Sequence, residues 1–261
     1  MMRGNLHTHS TYCDGKSTLE ETVQTAINKG FSYIGFSGHS PVKHDLRYCM
    51  KFDNEGKYFD EVNFLKEKHK DKIRVLCGLE RDFESGDNGF DYDYIIASTH
   101  YIKAGDSLAD VDESLEKQNE CIEKFYGGDP YAYAEEYYKT VAKLRGDIIG
   151  HFDLLTKFDR NNDIFNPKEE RYKKAVLSAL DELVEEKQIL EVNTGAMSRG
   201  YKDAPYPDRW ILEEIKKRDG RVLITSDCHH ADNLDYGYDL AEEILTEIGF
   251  TDFYNIDFIK K

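Results

Sequence analysis

Seven short apolar runs alternate with segments of helical character along the chain, and this alternation constrains the fold more than any other feature of the sequence. Each run is continuous, with no regular exchange between apolar and polar residues, which is typical of parallel strands buried on both faces. Strands and helices in regular alternation predict a parallel α/β sheet. The runs are residues 33–37, 73–79, 94–98, 148–150, 189–192 and 222–225, together with a short run before His7.

Helices are predicted between these strands from their caps and their apolar spacing. Ser17-Thr18 followed by two acidic residues is typical of a helix start, and this helix is expected to end near Gly30. The other predicted helices lie around residues 62–65, within 112–145 with a break near 127–130, and at 168–187, 208–217 and 238–248. Two segments, residues 42–56 and 101–130, are interpreted as insertions.

The length of 261 residues suits one α/β barrel domain. An open doubly wound sheet would fit the same alternation of elements. The chain contains neither the G-x-G-x-x-G loop nor the Walker loop that binds phosphates in many such sheets. No linker rich in Pro, Gly or Ser marks a boundary, so we expect a single domain over residues 1–261.

The net charge limits the classes of binding partner, and the cysteines indicate the redox compartment. A net charge of −16 disfavours binding to nucleic acid or to anionic membranes. No apolar run approaches the roughly 20 residues that span a bilayer, and polar His7 and His9 stand where a signal peptide needs an apolar core. The five cysteines are odd in number and lack Cys-x-x-Cys spacing, so we expect reduced thiols in a cytoplasmic protein.

Histidines gather at the predicted carboxyl ends of the strands. His7 and His9 are two residues apart, so in an extended backbone they face the same side and can reach one ion. Glu80 and Asp227 also follow strands, and in an α/β barrel all these ends share the rim on which active sites lie. The histidines in this position are His7, His9, His39, His100, His151 and His229.

Imidazole and carboxylate groups without thiolates suit Zn, Mn or Fe. The six histidines, with Asp14, Glu80 and Asp227, are too many for one tetrahedral ion and suit two or three ions. The remaining histidines, His44, His69 and His230, are interpreted as structural or surface residues. Cys13 and Cys228 lie next to candidate ligands and are expected to be bystanders.

The motifs around these residues resemble those of the PHP (polymerase and histidinol phosphatase) family, in order and over almost the whole chain. Residues 191–195 and Tyr206-Pro207 are similar to its monofunctional histidinol-phosphate phosphatase branch. The resemblance implies a distorted (β/α)7 barrel, with a trinuclear metal centre that hydrolyses L-histidinol phosphate in histidine biosynthesis. The matching motifs are His7-Thr8-His9, Asp14-Gly15, Gly38-His39-Ser40, Gly78-Leu79-Glu80, Ser98-Thr99-His100, residues 150–153 and residues 226–229.

The resemblance also implies how the ligands are shared among three ions. Glu80 is expected to bridge the first and second ions. Some family members have His where this chain has Asp14, and a harder carboxylate there shifts the expected preference of the third ion toward Mn or Fe. The implied sets are His7, His9, Glu80 and Asp227 for the first ion, Glu80, His100 and His151 for the second, and Asp14, His39 and His229 for the third.

For a phosphate monoester, the expected nucleophile is a hydroxide that bridges two ions, because bound metals lower the pKa of water. The ions would also supply the positive charge that an acidic surface lacks. Arg160 and Arg199 are expected to bind the substrate phosphate, with Ser198 as a further hydrogen-bond donor. The leaving alkoxide could be protonated by Asp227, by His229 or by a metal-bound water.

Three alternatives remain open at the level of sequence. One is a PHP phosphoesterase that acts on nucleotides or phosphotyrosine. Another is an amidohydrolase-type barrel, which also begins with His-x-His but usually has a bridging Lys where this chain offers Glu80 and His100. The third is a metal-dependent binding module without enzymatic activity.

Overall fold

The computed structural model describes residues 3–86 and 89–259 and contains a parallel sheet of seven strands. The order in the sheet is β1-β2-β3-β4-β7-β8-β9, and every neighbouring pair is parallel. A small antiparallel hairpin, β5-β6, lies apart from it. The strands are β1 Gly4–Asn5, β2 Tyr33–Phe36, β3 Arg74–Asp82, β4 Tyr94–Ser98, β5 Tyr101–Ala104, β6 Ser107–Asp110, β7 Ile148–Ile149, β8 Ile189–Asn193 and β9 Arg221–Thr225.

Helices cover the outer face of this sheet. They are α1 Leu19–Asn28, α2 Phe52–His69, α3 Leu115–Tyr126, α4 Pro130–Val141, α5 Glu170–Glu185, α6 Gly195–Ser198, α7 Arg209–Lys217 and α8 Tyr238–Ile248. Thr18 caps α1 in a capping box with Glu21. Gly127, with φ of 63°, ends α3 and Asp129 caps α4, which explains the predicted break. Within the described residues, no helix is both long enough and apolar enough to cross a membrane.

The two edge strands approach each other and nearly close the sheet into a barrel. Thr8 and Cys228 form a parallel bridge just beyond β1 and β9. The amide of His9 donates to the carbonyl of Cys228 at 3.0 Å, and the amide of Cys228 donates to the carbonyl of His7 at 3.3 Å. The expected seven-stranded α/β barrel is therefore confirmed. The sheet is not the open doubly wound sheet that the sequence also allowed.

The amino-terminal half of the barrel interior is apolar. Tyr94 crosses it, donating hydrogen bonds to the carbonyls of Leu6 and Phe36. A Cβ atom at Gly35 or Gly78 would collide with the Tyr94 side chain, so these strands need glycine where they pass it. Ile259 packs into the same cluster from the carboxyl-terminal segment. The other cluster members are Leu6, Tyr33, Leu76, Ile96, Ile148, Ile189 and Leu223.

One predicted boundary was wrong, and one predicted insertion has more regular structure than the sequence indicated. Helix α2 begins at Phe52, so the segment interpreted as an insertion over 42–56 is irregular only as far as residue 51. The other insertion, 101–130, contains the hairpin β5-β6 and all of α3. Gly105, with φ of 65°, and Asp106 form a two-residue turn between the strands, which is a hairpin signal that the sequence carried.

Candidate metal centre

The nine predicted ligands lie together at the carboxyl-terminal mouth of the barrel. Glu80 lies within β3, two residues before its end, and the other eight lie in the segments that follow strands, Asp14 in the loop after the first one. Glu80 occupies the middle of the group and is 1% exposed. Its carboxylate oxygens lie 3.2 Å from His7 Nε2, 2.8 Å from His39 Nδ1 and 2.9 Å from His151 Nε2. Glu80 therefore stands where a bridging ligand would have to stand.

Asp227 and Asp14 extend the cluster on either side of His9. Asp227 Oδ1 lies 3.0 Å from His9 Nε2 and 3.7 Å from His7 Nε2. Asp14 lies 3.1 Å from His229 Nε2 and 3.8 Å from His39 Nε2. Among the described residues, three sets have ligand atoms within 4.8 Å of one another. They are His7, His9 and Glu80; His39, Glu80 and His100; and His9, Asp14, His39 and His229.

Buried polar atoms at the centre lack hydrogen-bond partners among the described residues. They are His7 Nε2, His9 Nε2 and Glu80 Oε2. An unsatisfied polar atom in a protein interior is costly. These atoms face one another, and their nitrogen and oxygen donor set suits a borderline divalent cation. The residues present therefore fit a metal centre.

The pKa values show how strongly the groups interact. Burial raises the pKa of Glu80, but the neighbouring His39, His7 and His100 outweigh burial and lower it well below the ordinary value. Burial and the nearby His229 and His39 lower the pKa of His9 to about 3. A neutral His9 and an ionised Glu80 are the protonation states in which these side chains bind metals.

Two buried acids that we did not predict as site residues orient the histidines. Glu191 lies 2.5 Å from His7 Nδ1, accepts from the amide of His151 at 2.7 Å and from the Thr225 hydroxyl at 2.5 Å. Asp82 lies 3.0 Å from His100 Nδ1 and accepts from the amide of His100 at 2.9 Å. In both histidines Nε2 is left facing Glu80, which is the usual role of a carboxylate behind a metal-binding histidine.

A cavity of about 340 Å³ opens over the cluster, and Arg199 reaches into it. The Arg199 guanidinium lies 3.1 Å from Asp227 Oδ2 and donates to the Asp227 carbonyl at 3.1 Å. Arg160 does not line the cavity, because it donates to the carbonyls of Gly200 and Tyr201. Ser198 does not line it either, and its hydroxyl donates to the Gly195 carbonyl.

The structure brings only one of the three predicted phosphate-binding residues, Arg199, to the cavity. Arg160 and Ser198 were predicted from their place in the loops after β7 and β8. The direction of a loop side chain depends on which carbonyl groups it meets, and the Gly200 and Tyr201 carbonyls hold Arg160 outside. A role for Arg160 or Ser198 in phosphate binding stays a prediction that this arrangement does not favour.

Of the predicted proton donors, Asp227 lies in contact with Arg199 and with metal-site histidines. Burial raises its pKa, but Arg199 and His7 outweigh burial and lower it well below the ordinary value. An ionised carboxylate accepts hydrogen bonds and binds cations, so this environment suits a ligand better than a proton donor. His229 lies with Nδ1 3.1 Å from the Arg199 guanidinium and Nε2 3.1 Å from Asp14.

The residues expected to be bystanders lie outside the metal sets. His69 contacts Glu20 on the outer helices, His44 packs on Tyr101, and His230 lies near Asp232. All five cysteines are free, as expected. Cys13 Sγ lies 3.5 Å from His9 Nδ1, on the side of the ring away from Glu80.

Comparisons with known proteins show similarity to histidinol-phosphatases over most of the chain. A probable histidinol-phosphatase from Schizosaccharomyces pombe is 25% identical over 94% of this chain and 86% of its own length. The histidinol-phosphatase of Bacillus subtilis is 25% identical over 92% of this chain and 98% of its own. A crystal structure of Lactococcus lactis histidinol phosphate phosphatase, in complex with Zn, L-histidinol and phosphate, superposes with a TM-score of 0.72. That structure is 21% identical and covers 97% of this chain and 95% of its own.

The PHP domain, as defined by its family profile, matches residues 5–195. The matched part carries seven of the nine clustered residues, and the loop after β9 adds Asp227 and His229. The chain belongs to the PHP domain family.

Proposed function

We propose that this protein is a metal-dependent phosphomonoesterase that hydrolyses L-histidinol phosphate to L-histidinol and phosphate. The clustering of the six histidines, Glu80, Asp14 and Asp227 at one mouth of the barrel, where six of the nine line a cavity, is the observation that carries the proposal. The relatives named above span nearly the whole chain and are histidinol-phosphatases by name. The proposal includes cytoplasmic activity of one domain over residues 1–261, with a small-molecule substrate.

Two or three divalent ions, Zn, Mn or Fe, would be held in the sets that the family resemblance implies. His7, His9, Glu80 and Asp227 would hold the first. Glu80, His100 and His151 would hold the second, and Asp14, His39 and His229 the third. Bound ions of this kind make water nucleophilic at neutral pH and neutralise the charge that develops on a phosphoryl group.

Arg199 is the residue best placed to bind the phosphate. Its planar guanidinium matches two phosphoryl oxygens, and its contact with Asp227 fixes it at the edge of the cluster. Glu191 and Asp82 would hold the His7 and His100 rings in place throughout the reaction. Both acids are buried, so water would not compete for these contacts.

The size and charge of the cavity favour a small substrate that carries a positive charge. Asp110, Asp112 and Glu113 line the cavity together, and we call these three carboxylates the acidic wall. Arg47 and Lys157 pair with the acidic wall, but Arg47 also pairs with Asp45 at 2.6 Å, so the wall keeps at least one negative charge in excess. A protonated amine, such as that of L-histidinol, complements this excess, whereas a nucleoside monophosphate offers no cationic group to it.

Phosphate release from a panel of monoesters tests the proposal. The metal-loaded protein should hydrolyse L-histidinol phosphate with a kcat/KM at least about 100-fold above that for nucleoside monophosphates or phosphotyrosine. Chelation should abolish turnover, and added Zn or Mn should restore it. Equal or higher kcat/KM for a nucleotide would contradict the assigned substrate. Full metal occupancy without turnover of any ester would instead favour a binding module.

A further inference from the structure

We propose that Tyr48 is a further catalytic residue, whose hydroxyl donates a hydrogen bond to the ester oxygen that joins phosphorus to the alcohol. This inference rests on the proposed phosphomonoesterase function. Tyr48 lies in the irregular segment before α2, which the sequence left without a role. That segment would then supply part of the catalytic site.

The position of the Tyr48 ring is fixed against the metal centre. It packs edge-on against the His39 ring, with centroids 4.8 Å apart and an interplanar angle of 87°. Its centroid lies 5.8 Å from that of His100. Tyr48 lines the cavity together with these two histidines. The ring is therefore held beside the place where the phosphate would bind.

The hydroxyl of Tyr48 is buried and makes no hydrogen bond of normal geometry with a described residue, although the Tyr101 hydroxyl lies near enough to interact with it. A buried hydroxyl without a partner costs free energy that a phenylalanine would avoid. A ligand in the cavity can supply the missing acceptor. A tyrosine hydroxyl is protonated at neutral pH and is therefore available as a donor.

The neighbours of Tyr48 indicate which oxygen it meets. Arg47, the preceding residue, lies 3.8 Å from Asp110 and 3.4 Å from Glu113, on the acidic wall. Tyr48 itself contacts His39 at the metal centre. A substrate with its phosphate at the ions and its amine at the acidic wall places the bridging oxygen between the two, next to Tyr48. Arg199 approaches from the side of Asp227 and His229.

The bridging oxygen is where a donor has most effect on an alkyl ester. When the bond between phosphorus and this oxygen breaks, the electron pair stays on the oxygen, and an alkoxide is a poor leaving group. A preorganised hydrogen bond stabilises the developing negative charge. An aryl leaving group such as p-nitrophenolate spreads this charge over its own ring and needs the donor far less.

Tyr48→Phe tests the role, because it keeps the ring on His39 and removes only the hydroxyl. We expect kcat for L-histidinol phosphate to fall about 100-fold, while kcat for p-nitrophenyl phosphate changes by less than about threefold. The inhibition constant of inorganic phosphate, which has no leaving group, and the metal content should both stay the same. Tyr126→Phe is the matched control, because Tyr126 does not line the cavity and its hydroxyl donates to the Lys103 carbonyl at 2.6 Å.

Each other outcome overturns part of the account in a different way. Equal losses on both esters, or weaker phosphate inhibition, would place the hydroxyl on the phosphoryl group and contradict the leaving-oxygen assignment. Unchanged kinetics with both esters would remove Tyr48 from the catalytic site. If the wild-type protein loaded with metal hydrolysed neither ester, the proposed function would fall and the inference with it.

Discussion

The two halves of the barrel interior are built from the same strands but have opposite chemistry. Toward the amino-terminal mouth, Leu76, Ile189 and Leu223 belong to an apolar cluster that Ile259 helps to cover. Toward the carboxyl-terminal mouth, Glu80, Glu191 and Asp227 occupy the inward positions. Packing stabilises the first half, whereas the second half leaves polar atoms of His7, His9 and Glu80 without hydrogen-bond partners among the described residues.

This contrast shows how the fold separates stability from chemistry. Along β8, Ile189 and Glu191 are two residues apart and point to the same side of the sheet. One contributes to the apolar cluster, and the other holds the ring of a candidate ligand. A substitution in the lower half should therefore change folding, and one in the upper half should change metal binding and turnover.

Glu80→Gln should have the largest effect on activity, because it removes the central charge of the upper half. We expect kcat/KM for L-histidinol phosphate to fall by about 1,000-fold and metal content to fall by at least one ion per chain. Elemental analysis and phosphate release measure the two quantities. Normal activity with full metal content would refute the bridging role.

Arg199→Ala should have the second-largest effect on activity, because the Arg199 guanidinium reaches the cavity. Its loss should lower kcat/KM by about 100-fold while metal content stays constant. Arg160→Ala is the matched control, since Arg160 donates to carbonyl groups outside the cavity, and it should change kcat/KM by less than about threefold. Equal losses in the two variants would restore the prediction that both arginines bind phosphate.

Glu191→Gln should weaken metal binding without removing a ligand. Gln keeps the size of the side chain but loses the carboxylate that faces His7 Nδ1. Loss of such a supporting carboxylate usually lowers metal affinity by about 10- to 100-fold. A competition titration with a metal chelator measures this change, and excess metal should recover most of the activity. Unchanged affinity would show that the His7 ring is held by packing alone.

Leu223→Ala should have the smallest effect on activity and a clear effect on folding. Leu223 is 1% exposed in the apolar cluster, and cavities of this kind cost about 2–5 kcal/mol. Urea unfolding should show that loss, while kcat of the folded protein changes by less than about threefold. A large loss of kcat at full folding would mean that the two halves of the interior are not separate.

The sequence predicted the barrel and the place of all nine clustered residues, because strand ends can be recognised locally and parallel strands share a rim. It did not predict Glu191 and Asp82 as supporting acids. Glu191 stands within an apolar strand, where only the packed barrel shows that it faces His7. The mistaken boundary at residue 56 came from α2, whose first turn carries polar residues. The hairpin β5-β6 within residues 101–130 was not predicted, because its strands are short and joined by one short turn.

The most direct test of the central claim is a crystal structure of the metal-loaded protein, with diffraction data collected at the absorption edge of the bound metal. The account predicts two or three anomalous peaks in the carboxyl-terminal mouth, with the Glu80 carboxylate about 2.0–2.2 Å from two of them. A single peak, or peaks away from Glu80, would contradict it.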